Sequence, residues 1–499
     1  MTLMPILFFV SVALELLIYL CLWRIRHLLY VLALPLGLAA SLFIAMQRPN
    51  GLTVLLVVLI LYRCGNALRV LLGRMQPKAL KNMARLAGLH LALWQLVIFG
   101  LEHAARALSV TSKQLWLLGS ILMFVCAAII FLQLSRTLRR IRPILSPERF
   151  SDKELPSITV AIPARNETTE LENILESIVA STYPKLEVIV LDDCSQNKRT
   201  PEIIRGYAQR GVRFLAGSTP SDDWLAKNYA YQQLLDAASG EFIVFMGVDI
   251  ALDASSLRKL VTEMLIKKKA MMSVVPLRSS HAIGHYTLTQ PMRYFWELAP
   301  PRRLFNRPPA LSSCWIISRE KLLTYGGFKA ISRSITPEAF FARQAIKDDD
   351  SYRFSLSSDS LGVRSSKSAA AQRQTALRTR YPQLHRRLEL VALFAVIELF
   401  TLAAPFALLV VSIFVSLSVV VILLAAGSAA LLMASAIRIA FATNVNPPLF
   451  AGLSFPFVVL HDVWLLHESA YKYEFSEIEW KGRNVCQPVM QVIPHLPKI

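Results

Sequence analysis

Three apolar runs rich in β-branched residues lie between residues 158 and 246, and a polar cluster follows each of them. The runs cover residues 158–162, 188–191 and 242–246. Apolar strands of this kind are typical of parallel sheets that are buried on both faces. The carboxyl ends of parallel strands meet at one edge of a sheet, so the polar clusters would lie together there. The pattern therefore predicts an α/β domain with its polar residues gathered at one edge.

Helical patterns alternate with these strands over residues 156–385. The predicted elements are a strand at 158–162, a helix at 169–181, a strand at 187–191, a helix at 225–238 and a strand at 241–246. This alternation predicts a right-handed, mostly parallel sheet with helices on both faces.

Apolar segments flank this region on both sides. Hydrophobic residues make up 54% of the 499-residue chain and concentrate in residues 1–135 and 388–466, in runs near the roughly 20 residues that cross a bilayer. The expected spans are at 4–23, 28–46, 52–72, 87–105, 114–134, 388–411 and 414–437. Residues 447–466 contain three prolines and could form a re-entrant hairpin, an interfacial segment or another span.

Basic residues are concentrated after the first, third and fifth expected spans, at 24–27, 74–85 and 136–142. The positive-inside rule then puts the central domain in the cytoplasm, against the inner or plasma membrane. Topology and anionic lipids account for the net charge of +20. No nucleic-acid-binding motif accompanies this charge, so nucleic acid is not an expected partner.

These patterns divide the chain into four regions. Residues 1–142 are a transmembrane region, and 150–386 are the α/β domain. Residues 387–470 are a transmembrane or re-entrant region, and 471–499 are a cytoplasmic tail.

Short polar motifs follow the predicted strands, and each has a structural and a functional interpretation. Pro163-Ala-Arg-Asn-Glu167 is either a helix cap or a loop whose free N–H groups stand beside a carboxylate. Asp192-Asp193 is either an Asx turn or a pair of hydrogen-bond acceptors for a ligand. Lys227 is either a solvated lysine or a charge suited to a diphosphate.

The order and spacing of these motifs resemble those of family 2 glycosyltransferases of the GT-A type. Trp224-Leu-Ala-Lys227 is similar to the W-x-G-K segment of that family, and Gly247-Val-Asp249 stands at its DxD position. More narrowly, the chain resembles membrane-bound members that glycosylate lipids, such as the hopanoid-associated and carotenoid (diaponeurosporenoate-type) enzymes. The resemblance covers about residues 155–385 and a tail motif at 480–483. It implies a Rossmann-like GT-A domain, cytoplasmic and inserted between N-terminal and C-terminal transmembrane helix bundles.

The resemblance also implies a set of binding residues. The base and ribose would be cupped by the first loop and the acidic pair, and the diphosphate would contact the lysine. Arginines and aromatic residues further along the chain would complete the donor and acceptor contacts. These residues are Pro163, Ala164, Arg165, Glu167, Asp192, Asp193, Lys227, Arg378, Tyr381, Trp480 and Arg483.

A divalent cation, Mg²⁺ or Mn²⁺, is implied at Asp249, because hard cations take oxygen ligands. Gly247 replaces the first aspartate of the family motif, which weakens the expected metal affinity.

The general base is implied within Asp348-Asp349-Asp350, where clustered carboxylates raise one another's pKa. Asp349 is the expected base, and the register leaves Asp348 and Asp350 as alternatives. Arg380 is expected to stabilise the leaving diphosphate.

The implied function is transfer of a sugar from a nucleotide-sugar, expected to be UDP-linked, to a membrane lipid acceptor in the bilayer, with inversion. One alternative is a processive polysaccharide synthase, against which Leu377 stands where that class has glutamine. Another is a catalytically degenerate membrane scaffold, which Gly247 favours. Transport is disfavoured because Glu15, Glu398 and Asp462 are isolated charges in the apolar segments. The sugar, the lipid and the oligomeric state stay open.

Overall fold

The structure is a computed structural model, and it divides the chain into two compact units. It describes residues 3–20, 26–47, 49, 51–71, 91–92, 94–100, 102, 112–143, 149–279, 289–300, 308–349, 351–445 and 447–486. One unit comprises residues 1–126, 384–429 and 463–476. The other comprises residues 127–383, 430–462 and 477–499 and contains the α/β fold.

Helices occupy both the apolar and the central regions. In chain order they are α1 (Leu3–Leu20), α2 (Arg26–Gln47), α3 (Gly51–Leu71), α4 (Ser112–Arg140), α5 (Thr169–Val179), α6 (Arg199–Gly206), α7 (Ala226–Ala237), α8 (Ser256–Lys267), α9 (Thr289–Leu298), α10 (Arg319–Thr324), α11 (Pro337–Lys347), α12 (Ala369–Gln383), α13 (Leu388–Glu398), α14 (Ala404–Phe414), α15 (Val419–Thr443), α16 (Pro448–Leu453) and α17 (Phe455–Phe475). A π-helical turn, Leu399–Ala403, joins α13 to α14.

The strands of the described residues lie within 158–365 and in the tail. They are β1 (Ile158–Ala164), β2 (Leu186–Asp192), β3 (Val212–Ala216), β4 (Phe242–Met246), β5 (Ile250–Leu252), β6 (Met271–Val275), β7 (Leu277–Arg278), β8 (Cys314–Ser318), β9 (Tyr352–Leu356), β10 (Val363–Ser365), β11 (Glu479–Trp480) and β12 (Arg483–Asn484).

Seven strands form the central sheet in the order β3-β2-β1-β4-β8-β6-β9. The pairs β1–β2, β1–β4, β2–β3 and β6–β9 are parallel, whereas β8 is antiparallel to β4 and β6. The α/β class is confirmed, but the sheet is mixed. The reason is the connection over residues 276–313, which leaves the carboxyl end of β6 and returns beside the carboxyl end of β4, so β8 must run back across the sheet.

The sheet is buried on both faces. Val160, Ala161 and Ile162 of β1 are completely buried although neighbouring residues of a strand point to opposite faces. Helix α5 packs with an apolar stripe of Leu171, Ile174, Leu175 and Ile178, at the i, i+3, i+4, i+7 spacing of an amphipathic helix. Each buried valine, leucine or isoleucine contributes about 1.5–3 kcal/mol, and this layer fixes the ends of β1 and β2.

Among the described residues, three helices are long and apolar enough to cross a membrane: Lys113–Arg140, Leu388–Phe414 and Val419–Thr443. They overlap the expected spans at 114–134, 388–411 and 414–437. Shorter apolar helices, Leu32–Gln47 and Gly51–Gly65, overlap the second and third expected spans.

Two other apolar expectations have different outcomes. About half of the expected span at 87–105 lies outside the described residues, which include only 91–92, 94–100 and 102. Residues 447–466 fall in α16 and α17. The number of membrane crossings and the four region boundaries stay predictions.

Candidate active site

The carboxyl ends of β1, β2 and β4 lie at one edge of the sheet. Ala164 is paired with Asp192 in parallel register, and Asp193 donates its backbone N–H to the Ala164 carbonyl at 2.8 Å. Because β4 runs parallel to β1, Asp249 follows β4 at this same edge. The strand-end polar residues therefore meet as the sequence pattern indicates.

Arg165 joins the loops that follow β1 and β2. It is 5% exposed, and its guanidinium donates to the carbonyl oxygens of Asp193 at 2.6 Å and Cys194 at 2.5 Å. It also donates from Nε to the Lys481 carbonyl at 2.9 Å. Arg165 therefore connects the two loops to a third segment, from the tail, through hydrogen bonds.

That third segment is the hairpin of β11 and β12. Its two-residue turn, Lys481-Gly482, has φ values of 50° and 75°, as a tight hairpin turn with positive φ at both positions requires. The Lys481 carbonyl also accepts from Asn166 Nδ2 at 3.0 Å. The WKGR motif thus lies directly on the β1 loop.

The side chains of the tail pair with two carboxylates of this edge. The Lys481 ammonium forms an ion pair with Glu167, and Arg483 donates to Asp193 Oδ2 at 2.5 Å. Burial raises the pKa of Glu167 and of Asp193, and the paired cations oppose that rise. Both carboxylates implied to bind nucleotide therefore hold the tail.

Asp192 has a different environment. It is half-buried, and its Oδ1 accepts from the Ser195 backbone N–H at 3.2 Å in an Asx turn. No hydrogen bond to Asp192 Oδ2 is found within the part of the chain that the structure describes. Of the two aspartates, Asp192 therefore has the carboxylate oxygen, Oδ2, with the fewer hydrogen-bond partners among the described residues.

Lys227 lies in the first turn of α7. The next residue, Asn228, fixes this turn by donating to the carbonyls of Ile331, Ser332 and Ser334 at 2.8–3.0 Å. Burial lowers the pKa of Lys227 to about 8, against the charges of Glu338 and Asp249, while Arg378 and Arg293 lower it further. The lysine expected to contact a diphosphate is thus a half-buried cation that interacts with two carboxylates.

Glu338 is a residue that the sequence reasoning did not select. It follows Pro337 at the start of α11 and is 4% exposed. Its Oε2 has no hydrogen-bond partner among the described residues, and burial raises its pKa against the opposing charge of Lys227. A buried carboxylate with a free oxygen beside a lysine suits proton transfer. Its sequence signal is an acidic residue in a stretch, 337–346, that otherwise carries one further charge.

The structure does not bring Asp348 and Asp349 to this edge. The Asp348 carbonyl accepts from Ser351 N, and the Ser351 carbonyl accepts from the N–H groups of Ala270 and Met271. Met271 begins β6, at the end of the sheet where β4 starts. The length of β4, about 13 Å at ~3.3 Å per residue, separates the two edges.

Asp348 has its own structural partners. It forms a 2.5 Å ion pair with Lys321 and accepts from the Tyr325 hydroxyl at 2.9 Å. Its hydrogen bonds to Lys321 and Tyr325 hold the pKa of Asp348 below its usual value. Asp349 has a left-handed backbone, with φ of 51°, and Asp350 lies outside the described residues.

Three residues of helix α12 are expected in the site, Arg378, Arg380 and Tyr381, and their surroundings differ. The Arg378 guanidinium lies 4.6 Å from the centre of the Trp480 ring, and its charge acts on Lys227. Arg380 instead pairs with Asp462, which also accepts from Trp296 Nε1 at 3.1 Å. Residues two apart on a helix point roughly 200° away from each other, so one arginine faces the lysine and the other faces α17.

Two expectations about this region change accordingly. Asp462 is not an isolated charge, because Arg380 neutralises it. Tyr381, expected to contact the donor or the acceptor, has a completely buried side chain.

The loop after β10 lies on Asp249. Ser365 donates from its hydroxyl to Asp249 Oδ2 at 3.2 Å, and the Ser366 N–H donates to the Asp249 carbonyl at 2.9 Å. Lys367 follows, and burial lowers the pKa of Lys367 to about 8 against the charge of Asp249. Sequence reasoning did not select this lysine.

These surroundings fit a divalent cation poorly. No group of three or more potential ligands among His, Cys, Asp and Glu is found in the described residues. Asp249 is instead surrounded by cations, since the charges of Lys227, Arg293 and Arg378 all act on Lys367 beside it. A divalent ion placed there would be repelled by these like charges.

Comparison with known proteins identifies the central domain. The family model Glycosyl transferase family 2 matches residues 159–326. A 4,4'-diaponeurosporenoate glycosyltransferase of Staphylococcus aureus is 31% identical over 192 residues, which are 36% of this chain and 48% of that protein. One of Staphylococcus haemolyticus is 30% identical over 122 residues, 24% of this chain and 32% of that protein. The chain spans about half of these relatives or less.

Solved structures show weaker likenesses. A mannosyltransferase of Pyrobaculum calidifontis in complex with GDP-mannose and Mn²⁺ is 18% identical, with a TM-score of 0.43 over 72% of this chain and 98% of that one. A glucosyl-3-phosphoglycerate synthase of Mycobacterium tuberculosis, in complex with Mn²⁺, UDP and its product, is 18% identical, with a TM-score of 0.29 over 43% and 77%. The family match and the curated relatives together show that the central domain is similar to glycosyl transferase family 2.

Proposed function

We propose that this protein is an integral-membrane glycosyltransferase. It moves one sugar from a nucleotide-sugar, UDP-linked in our proposal, to a hydroxyl or carboxyl group of a membrane lipid, with inversion at the anomeric carbon. The observation that carries the proposal is the joint position of Lys227, Asp249 and Glu338. They combine a cation for a diphosphate with a buried carboxylate for a proton, in a domain of the matching family.

The chemistry assigns one role to each group. The acceptor oxygen attacks the anomeric carbon, the bond from that carbon to the diphosphate oxygen breaks, and the acceptor proton passes to Glu338. The electron pair of the broken bond leaves on the diphosphate, where the charges of Lys227 and Arg378 stabilise it. Glu338 replaces Asp349 as the proposed base because of its position at the edge where Asp249 lies.

The nucleoside is proposed to lie against the loops after β1 and β2. Asp192, which keeps a free oxygen, would accept from the base or ribose. Glu167 and Asp193 would act through the tail hairpin that they hold. Arg380 and Tyr381 would position α12 rather than contact the donor.

A membrane lipid is proposed as acceptor for two reasons. The relatives are named for glycosylation of 4,4'-diaponeurosporenoate, and three helices among the described residues are long and apolar enough to cross a bilayer. We propose a multi-pass protein of the plasma membrane with its catalytic domain in the cytoplasm, as the basic loops indicate.

The test is sugar transfer by the purified full chain in lipid nanodiscs. Labelled UDP-sugars and GDP-sugars are offered with a bacterial lipid extract, and labelled lipid and released nucleotide are measured together. Equal amounts of both are expected with at least one donor. Release of nucleotide without labelled lipid would refute the lipid acceptor, and growth of a long polymer would favour a polysaccharide synthase.

A degenerate membrane scaffold is the second candidate. Gly247 at the family's DxD position and the tail cations on Glu167 and Asp193 favour it. Failure of every donor in the panel to bind would support this candidate.

A further inference from the structure

A cluster of charges around Asp249 points to the way in which the donor diphosphate is held. Lys227 and Lys367 feel the charges of Arg293 and Arg378, and both lie near Asp249. Glu338 is the second carboxylate that acts on Lys227. Glu297 acts on Glu338, and Arg278 interacts with Asp249. The five cations thus outnumber the three carboxylates, and this excess of positive charge matches a diphosphate diester, which carries a charge on each phosphate.

The backbone of Lys367 is fixed on both sides. Its N–H donates to Ser365 Oγ at 3.4 Å, and its carbonyl accepts from Gln372 Nε2 at 3.1 Å and from Arg278. Ser365 Oγ in turn donates to Asp249 Oδ2. Hydrogen bonds through Ser365 therefore fix the backbone of Lys367 relative to Asp249.

The two lysines have no carboxylate partner of their own. In the ranges that the structure describes, neither ammonium forms an ion pair or donates a hydrogen bond. Both lysines are half-buried, and a half-buried cation without such a partner is stabilised by an anion that enters the site.

Gly247 leaves little space for a second carboxylate beside Asp249. A Cβ atom at this position would lie 2.7 Å from Asp249 Oδ1, so a second carboxylate could enter only if Asp249 moved. The chain has no side chain at Gly247, where the family motif has an aspartate. Lys367 lies two residues after Ser365, which donates to the remaining aspartate, Asp249.

We propose that Lys367, together with Lys227 and Arg378, holds the donor diphosphate in place of a divalent cation, so that donor binding does not require Mg²⁺ or Mn²⁺. This rests on the proposed use of a nucleotide-sugar. Lys367 thus becomes a further diphosphate-binding residue of the same site.

The experiment measures binding of UDP and of GDP to the purified full chain by calorimetry, once in EDTA and once in Mn²⁺. We expect the affinity for the better nucleotide to differ by less than about threefold between the two conditions, because ammonium groups supply the charge-assisted contacts. Lys367→Ala should weaken binding in EDTA by about tenfold or more, and Lys367→Arg should restore part of it. Lys347→Ala, an exposed lysine at the opposite edge, is the matched control and should bind as the unaltered chain does.

A spectroscopic readout is independent of activity. Mn²⁺ titrated into the nucleotide-free protein should keep the paramagnetic resonance spectrum of the free ion. Binding of nucleotide only in Mn²⁺, with Lys367→Ala unchanged, would overturn the inference and leave the glycosyltransferase proposal standing. Binding of neither nucleotide under any condition would overturn both. The comparison of EDTA with Mn²⁺ uses the unaltered chain. It therefore tests the inference even if Lys367→Ala folds poorly.

Discussion

Replacement of Glu338 by glutamine tests the proposed base most sharply. The side chain is 4% exposed and its Oε2 has no hydrogen-bond partner among the described residues, so Glu338→Gln keeps the shape of the residue and removes its charge. Loss of a general base costs about 10²–10⁴-fold in rate, which is about 2.7–5.4 kcal/mol at ~1.36 kcal/mol per tenfold. We expect kcat for sugar transfer to fall within this range.

The pH profile separates a catalytic from a structural effect. Burial raises the pKa of Glu338, so the unaltered enzyme should lose activity as the pH falls through that raised value and the base becomes protonated. This acid limb should vanish in Glu338→Gln. A raised carboxyl pKa also means that the charged form destabilises the folded state at higher pH, so the glutamine variant should unfold at the same or a higher temperature at pH 8.

Asp349→Asn is the matched control at the other edge of the sheet. Its kcat should stay within about threefold of the original, as expected for a surface change. If Glu338→Gln keeps full activity while Asp349→Asn loses it, the assignment of the base from the sheet geometry is refuted.

Three further predictions concern the lysine and the tail. Lys227→Ala should weaken UDP binding by about 10–100-fold, as loss of a charge-assisted contact of ~1.5–3 kcal/mol implies. Because burial lowers the pKa of Lys227 to about 8, the affinity of the unaltered chain for UDP should fall as the pH rises through that value. An affinity that stays constant from pH 7 to 10 would contradict this. Arg483→Ala leaves Asp193 buried without its partner and should lower the free energy of unfolding of the domain by about 3–5 kcal/mol, measured by urea titration with Arg483→Lys as control. Gly482→Ala forces alanine to a φ of 75° with its Cβ 2.6 Å from Gln196 Oε1 and should cost about 1–2 kcal/mol; an unchanged unfolding midpoint would show that the hairpin turn is not held as described.

The sheet and its polar edge could be predicted because their signals are local. Apolar runs such as Ile158-Thr-Val-Ala-Ile162 indicate buried strands, and the parallel register of Ala164 with Asp192 follows from the alternation of strands and helices. The antiparallel strand β8 could not be predicted in this way, because its direction depends on where the connection over residues 276–313 returns to the sheet. No local pattern contains that information.

The candidate base shows the same limit. Asp348, Asp349 and Asp350 form a conspicuous acidic cluster in the sequence, but the helix that precedes this cluster places Asp348 and Asp349 at the far end of the sheet. Glu338 lies at the start of that same helix, α11, and a helix of 11 residues spans about 16 Å at ~1.5 Å per residue. Which end of a helix faces the site depends on tertiary packing, which residue types alone do not reveal.

The tail illustrates a contact that only the folded chain reveals. Lys481 and Arg483 reach carboxylates about three hundred positions earlier in the chain. The sequence indicates a tail motif, whereas the family resemblance implies that its partners Glu167 and Asp193 bind the nucleotide. The structure shows that the same carboxylates serve to anchor the hairpin.

The most direct test of the central proposal is sugar transfer by the full chain in nanodiscs, with labelled UDP-sugars and GDP-sugars and a bacterial lipid extract, beside the Glu338→Gln variant. The proposal predicts a labelled lipid and an equal amount of released nucleotide diphosphate with at least one donor, both reduced at least about 100-fold in the variant. No labelled lipid with any donor, or the same yield from the variant, would contradict it.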